Sequence, residues 1–170
     1  MSDASHVAIT ANQVANGGFQ RMQCLPSHFG TAALRFENAV YVMAERLCPD
    51  YRGGFWQFYE LSNGGFYMAP QLGRETVAIS VETNGYDGRM SCDAAGVTIC
   101  LFVFSHLSFM SSDSRWAEHF HQLRDFAISH REAADIFAAI DRSSSATAGD
   151  RDWRQHFGMA PSHPNTLSST

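Results

Sequence analysis

The feature that most constrains the fold is a pair of short aromatic runs at residues 53–70, which read GGFWQFYELSNGGFYMAP. FWQFYEL and FYMAP are rich in residues that favour strands, and the SNGG between them contains residues that tolerate positive φ. This pattern predicts a β-hairpin. Because side chains alternate along a strand, Trp56 and Phe58 should lie on the face opposite Phe55 and Tyr59. Both faces of the hairpin therefore have aromatic side chains.

Two interpretations of this hairpin remain open. In the first, it forms the core of the sheet, because a covered aromatic side chain buries about 150–250 Å². In the second, part of the aromatic set stays exposed and contacts a partner protein, since Trp and Tyr are enriched in binding hot spots. The candidate contact residues on the hairpin are Trp56, Tyr59, Asn63 and Tyr67.

The rest of the chain predicts further helices and strands. Apolar residues at three- and four-residue steps predict one amphipathic helix from Pro26 to Leu47, with Ser27 at its N-cap. Thr76–Val81 predicts a third strand, and RMS after the NGYDG turn predicts a short fourth strand. Residues 93–110 are apolar nearly all round and predict a buried central helix, with Ser91 or Asp93 as its N-cap.

Two amphipathic helices are predicted after the central helix. The first has Trp116 and Leu123 on its apolar face, and the second begins at a capping box formed by Ser129 and Glu132. Together the elements predict an α/β protein of the two-layer α+β type. In this single domain an antiparallel sheet with the aromatic hairpin packs against several helices.

Composition divides the chain into three parts. Residues 1–23 are polar and predict a flexible N-terminal arm, residues 24–141 predict the folded domain, and residues 142–170 predict a disordered tail. The N-terminus lacks the apolar stretch of an export signal, and the longest apolar run, Ala94 to Phe104, is shorter than the about 20 residues of a membrane helix. We therefore expect a cytoplasmic protein with no membrane contact.

The charge balance disfavours two classes of function. With 12 basic and 17 acidic residues the net charge is −5, and the cations form no cluster. Strong nucleic-acid binding needs clustered cations that displace counterions from phosphate. A DNA mimic needs dense, regular carboxylates rather than a mild acidic excess.

The search for catalytic or metal-binding motifs finds no convincing one. His119 and His121 are two residues apart, so on a helix they point to different faces and do not chelate one ion. His106 lies in the apolar helix without a recognisable nucleophile motif, and the four cysteines have no metal-ligand spacing. Asp141 opposes the dipole of its helix by about 0.3–1 kcal/mol, which makes it a further candidate partner contact. We expect no catalytic site, no metal and no cofactor.

Four segments resemble the ArdB/KlcA antirestriction family. They are LPSHFG at 25–30, LCPDYRGGFWQFYELSNGGFYMAP at 47–70, SCDAAG at 91–96 and LRDFAISHREAADIFAAID at 123–141. The resemblance implies a small α/β protein of a plasmid or other mobile element, which helps incoming DNA to escape host type I restriction. It implies no catalytic site.

Three functions are weighed on these grounds. The first is an antirestriction protein that contacts the type I restriction complex, or a host factor coupled to it, without mimicking DNA. The second is an unrecognised hydrolase that uses His106 or Asp93. The third is a weak single-stranded nucleic-acid-binding protein that uses Arg and exposed aromatic side chains. We favour the first.

Overall fold

A computed structural model describes residues 7–141 of the chain. In chain order the elements are β1 (Ala11–Gln13), α1 (Phe19–Phe29), a 3-10 turn (Gly30–Ala32), α2 (Ala33–Leu47), β2 (Phe55–Leu61), β3 (Phe66–Gln71), β4 (Thr76–Val81), β5 (Tyr86–Ser91), α3 (Cys92–Met110), α4 (Ser114–Ile128) and α5 (Ala133–Asp141). The predicted α+β single domain is confirmed.

The strands form two small antiparallel sheets rather than one. The first has the order β1-β2-β3, and the second is the β4–β5 hairpin. The predicted aromatic hairpin is β2–β3, with Tyr59 opposite Tyr67 and Trp56 opposite Pro70. Pro70 was expected to end the second strand, but β3 continues to Gln71. A proline is tolerated here because β3 lies at an edge of the sheet, where a missing backbone donor costs no ladder hydrogen bond.

Helix α3 lies at the centre of the domain and packs against β3, α2, α4 and α5. Its contact with β3 is a direct approach of two backbones. A Cβ atom built on Gly96 would lie 2.6 Å from both the Cα of Ala69 and the carbonyl oxygen of Met68. One turn later, the buried Cys100 Sγ accepts a hydrogen bond from the Met68 amide at 3.5 Å. Glycine at position 96 is therefore a packing requirement.

The apolar character of α3 is that of a core helix. Within residues 7–141, α3 is the one helix long and apolar enough to cross a membrane, and most of it is buried inside the domain. As predicted, Ser91 caps it, because its hydroxyl oxygen accepts a hydrogen bond from the Ala94 amide at 3.1 Å.

The N-terminal predictions need correction. Residues 11–13 pair with β2, and a helix begins at Phe19, so the segment predicted as an arm over 1–23 contains regular secondary structure. The single helix predicted from Pro26 is two helices, because Gly30 takes a positive φ of 55° between them. Ser27 is not a cap; its hydroxyl donates to the Cys24 carbonyl inside α1. The tail predicted at 142–170 lies outside the described residues.

Candidate functional site

The candidate contact residues of the hairpin have different environments. Trp56 is 2% exposed and its indole N–H donates to the Tyr51 hydroxyl at 3.0 Å. Tyr67 is 1% exposed, whereas Phe55, next to Trp56, is 43% exposed. The rings of Trp56 and Tyr67 are thus covered within the domain, which favours the core interpretation for these two residues.

Asn63 and Asp141 lie at the ends of elements. Asn63 is half-buried in the β2–β3 turn, where it donates to the Gln122 carbonyl at 2.9 Å and accepts from the Gly65 amide at 3.1 Å. It thereby attaches the turn to α4. Asp141 is the exposed last residue of α5, which packs mainly against α3 and the β4–β5 hairpin. Asp141 therefore belongs to a different region from the aromatic hairpin.

Tyr59 and Tyr67 are brought together by the register of β2 and β3. Their rings stack with centroids 4.7 Å apart, and the ring of Tyr67 stacks on Phe126 of α4 at 5.6 Å. The Tyr67 hydroxyl donates to Asp93 Oδ1 at 2.8 Å. Burial, together with the negative charge of Asp93, raises the pKa of Tyr67, so this hydroxyl stays protonated and remains a donor.

Asp93 also binds His130, and the geometry assigns the tautomer of this histidine. His130 Nε2 lies 2.9 Å from Asp93 Oδ2, while Nδ1 accepts the Glu132 amide at 3.0 Å. Because Nδ1 is an acceptor, the neutral ring has its proton on Nε2 and donates it to Asp93. Burial alone would raise the pKa of Asp93, but the hydrogen bonds from His130 and Tyr67 outweigh it and lower the pKa.

Glu132 connects the start of α5 to the start of α3. Its carboxylate accepts the Ser91 amide at 2.8 Å and also the Ser91 hydroxyl. The predicted capping box with Ser129 is therefore wrong, because the Glu132 side chain is used across the fold instead. Burial tends to raise the pKa of Glu132, but the hydrogen bonds from Ser91 outweigh it, so the pKa is lowered.

We call these five residues (Tyr67, Ser91, Asp93, His130 and Glu132) the Asp93 network. Three of the segments that resemble the ArdB/KlcA family supply them: residues 47–70, 91–96 and 123–141. Sequence analysis identified Tyr67 and Asp93 individually but did not predict their contact, since 26 residues separate them in the chain.

The Asp93–His130 pair has two of the members of a catalytic triad but not the free nitrogen that a triad needs. A general base must offer a lone pair on its second ring nitrogen to the substrate or the nucleophile. In this domain that lone pair already accepts the Glu132 amide. The geometry of the Asp93 network therefore favours a structural role.

His106, the other histidine considered for catalysis, is half-buried on α3, and its ring stacks on that of Phe102 with centroids 6.4 Å apart.

A second polar cluster, absent from the sequence predictions, joins α1 to β2. Cys24 Sγ lies 3.7 Å and His28 Nε2 lies 3.1 Å from Glu60 Oε1. Cys24 and His28 are four residues apart on one helix, which was a visible signal, but Glu60 is 36 residues from Cys24. Burial, with a smaller effect of Glu60, raises the pKa of the Cys24 thiol to about 12. We call Cys24, His28 and Glu60 the Cys24 cluster.

His119 lies beside this cluster. It is 7% exposed, unlike the exposed His121, and its ring centroid lies 5.3 Å from that of His28. Burial, with smaller effects of His28 and Arg115, lowers the pKa of His119 to about 4. Its Nδ1 atom has no hydrogen-bond partner among the described residues.

Comparison with known proteins identifies the family. A family model described as "Antirestriction protein" matches residues 49–141. KlcA of Escherichia coli is 43% identical over 138 residues, which are 78% of this chain and 95% of the relative. The chain belongs to the antirestriction protein family. YfjX of Escherichia coli K12, described as uncharacterized, is 34% identical over 143 residues, covering 82% of this chain and 93% of the relative.

A solved structure agrees with this family membership. It matches with a TM-score of 0.69 and 42% identity, over 78% of this chain and 95% of the other chain. It is described as a KlcA and ArdB structure with a novel fold and antirestriction activity against type I DNA restriction systems in vivo but not in vitro.

Proposed function

We propose that this antirestriction family member relieves host type I restriction of incoming DNA by contact with a protein. The observation that supports this most strongly is the similarity, at 42% identity, to the structure described as active against type I systems in vivo but not in vitro. The antirestriction activity of that relative is described in vivo but not in vitro. This favours a protein target that is present in the restricting cell, either the type I complex or a host factor coupled to it. The site of action is then the cytoplasm, and a plasmid or other mobile element is the expected origin.

The charges of the chain support protein contact over DNA mimicry. A net charge of −5 from 12 basic and 17 acidic residues does not reproduce the dense phosphate charge of a duplex. The same balance disfavours tight binding to nucleic acid. We propose a non-enzymatic mechanism, because the Asp93 network has its donors and acceptors engaged within the protein.

The surface around Tyr59 is the best candidate for the contact. Tyr59 and Phe126 remain half-buried on either side of the covered Tyr67 ring, and the Asp93 side chain is 37% exposed. Aromatic side chains such as Tyr59 and Phe126 are enriched at protein–protein interfaces. Asn63 fixes the neighbouring turn, and the exposed Asp141 on α5 is a separate candidate contact.

The experiment that tests this function is the plating efficiency of unmodified phage on a type I restricting host, with and without the protein expressed. Rescue towards the level of a restriction-deficient host is expected. Tyr59→Ala should reduce the rescue at least about tenfold if it removes a hot spot of about 1.4 kcal/mol or more. Tyr86→Ala, at a half-buried tyrosine of the other hairpin, is the matched control and should keep the rescue. Absence of rescue by folded wild-type protein would contradict the proposal.

The two alternative functions have weaker support. The Arg21 guanidinium lies 3.9 Å from the Phe58 ring centroid and 4.5 Å from that of Phe55, and it donates to the Trp56 carbonyl. This stacking already occupies a cation and aromatic rings that single-stranded binding would need. A hydrolase would need a free base at Asp93–His130, and both ring nitrogens of His130 are engaged.

A further inference from the structure

The Cys24 cluster has the donor set and spacing of a transition-metal site. Its three ligand atoms are a sulfur, an imidazole nitrogen and a carboxylate oxygen, all within 4.8 Å of one another. Cys24 and His28 present their donors from one face of α1, and Glu60 presents its oxygen from β2. Sulfur and nitrogen donors with one carboxylate favour Zn²⁺ over Mg²⁺ or Ca²⁺.

The distances between the donors fit a tetrahedral ion. With Zn–S near 2.3 Å and Zn–N and Zn–O near 2.0–2.1 Å, the edges of the tetrahedron are about 3.5 Å for S···O and about 3.3 Å for N···O. The corresponding distances in the cluster are 3.7 Å from Cys24 Sγ and 3.1 Å from His28 Nε2 to Glu60 Oε1. These two distances are therefore within a few tenths of an ångström of the tetrahedral edges.

We propose that Cys24, His28 and Glu60 form a Zn²⁺ site with three protein ligands and a fourth position open to solvent. The open coordination position lies on the side of Glu60, because the Glu60 side chain is 50% exposed and that of His28 is 15% exposed. On binding, the Cys24 thiol proton leaves for solvent, and the thiolate and the Glu60 carboxylate neutralise the charge of the ion.

The surroundings of the cluster are compatible with such an ion. The guanidinium of Arg21 on α1 is already stacked over the rings of Phe55 and Phe58. His119 of α4 is the other titratable group packed against His28, and its buried Nδ1 has no partner among the described residues.

Cobalt titration of the full chain is the direct test, because four-coordinate Co²⁺ bound to thiolate has a charge-transfer band and strong visible bands. The protein, stripped with a chelator and desalted, should bind one equivalent of Co²⁺ with both spectral features, and Zn²⁺ should displace it. Cys24→Ser should lose the thiolate band, and His28→Gln and Glu60→Gln should each weaken binding by more than about tenfold. Circular dichroism of the metal-free variants identifies any that do not fold.

Two matched controls locate the site. Cys92→Ser changes another free cysteine, and His121→Gln changes another helix histidine; both should bind Co²⁺ like the wild type. Absence of saturable binding would overturn the proposal, as would an unchanged thiolate band in folded Cys24→Ser. The inference does not depend on the proposed function, since phage plating and metal binding are measured separately.

Discussion

The turns of the two hairpins are hydrogen-bonded to helices in the same way, but the strands of the two hairpins differ in how they are covered. In β2–β3, Asn63 accepts the amide of Gly65 and donates to the Gln122 carbonyl of α4. In β4–β5, Asn84 accepts the amide of Tyr86 and donates to the Ala139 carbonyl of α5. Each turn is thus closed by an asparagine that also binds a helix.

The faces of the two hairpins have different burial patterns. In β4 the buried residues alternate with more exposed ones, as expected for a strand covered on one face, whereas three consecutive residues of β2, Trp56 to Phe58, are buried. The centre of the aromatic hairpin is therefore covered on both faces, whereas β4 is covered on one. The following predictions test this difference, from the largest expected effect to the smallest.

Trp56→Ala should be the most destabilising change in the aromatic hairpin. It removes a ring that is 2% exposed, which costs about 3–5 kcal/mol of the free energy of unfolding. Phe55 precedes Trp56 in the strand and is 43% exposed. Phe55→Ala should therefore lower the free energy of unfolding by less than about 1 kcal/mol. Urea unfolding of the two variants measures the contrast. Equal losses would mean that the Trp56 ring is not covered more completely than the Phe55 ring.

Gly96→Ala tests whether the close contact between α3 and β3 costs more than placing a side chain on a backbone with positive φ. The added Cβ would lie 2.6 Å from backbone atoms of β3, so we expect a loss of about 3 kcal/mol. Gly73→Ala is the control, because its φ is +65° but the space around it is open, and it should lose about 1–2 kcal/mol. Thermal unfolding ranks the two. A milder effect at position 96 than at position 73 would refute the close backbone approach.

Asp93→Asn should weaken the polar network that closes over the aromatic hairpin. The pKa of Asp93 is lowered in the folded state, so its stabilising contribution is present at neutral pH and is lost as the pH falls below about 4. Because the side chain is 37% exposed, we expect a loss of only about 1–2 kcal/mol at pH 7. The difference from the wild type should shrink in acid.

The control for this variant is Asp125→Asn, at an exposed position of α4. Unfolding free energies of both variants at pH 7 and at pH 3.5 give the comparison. A constant difference between Asp93→Asn and the wild type over this range would contradict the role given to the ionised carboxylate.

The smallest expected effects come from the two turns. Asn63→Ala and Asn84→Ala each remove one bond to a helix carbonyl and one to a turn amide, and each should cost about 1 kcal/mol. Hydrogen exchange should show faster opening of the β2–β3 turn in the first variant and of the β4–β5 turn in the second. Faster exchange in both turns of either variant would show that the hairpins open together.

The sequence predicted those parts of the fold that local patterns determine. The aromatic hairpin follows from strand-forming residues around a glycine-containing turn, and the start of α3 from a serine placed before an apolar run. The break at Gly30 was missed because the apolar spacing continues through it. The strand β1 was missed because it has three residues, and part of its attachment is a hydrogen bond from Gln57 Nε2 to the Val14 carbonyl at 2.6 Å.

The candidate site was less predictable than the fold. Tyr67 and Asp93 were identified one by one, but their contact depends on how α3 packs on β3, which no local pattern gives. The pairing of Glu132 with Ser91 spans 41 residues and replaced a local capping box that the sequence favoured. Hydrogen bonds between residues this far apart in the chain cannot be deduced from the spacing of residues in the sequence.

We propose that the aromatic hairpin is a scaffold and that the surface around Tyr59 makes the functional contact. The most direct measurement is phage plating efficiency for Trp56→Phe and Tyr59→Ala, made at equal amounts of folded protein in the restricting host. We predict that Trp56→Phe keeps its protection while folded and that Tyr59→Ala loses it. Loss of protection by folded Trp56→Phe, with protection intact in Tyr59→Ala, would contradict the claim.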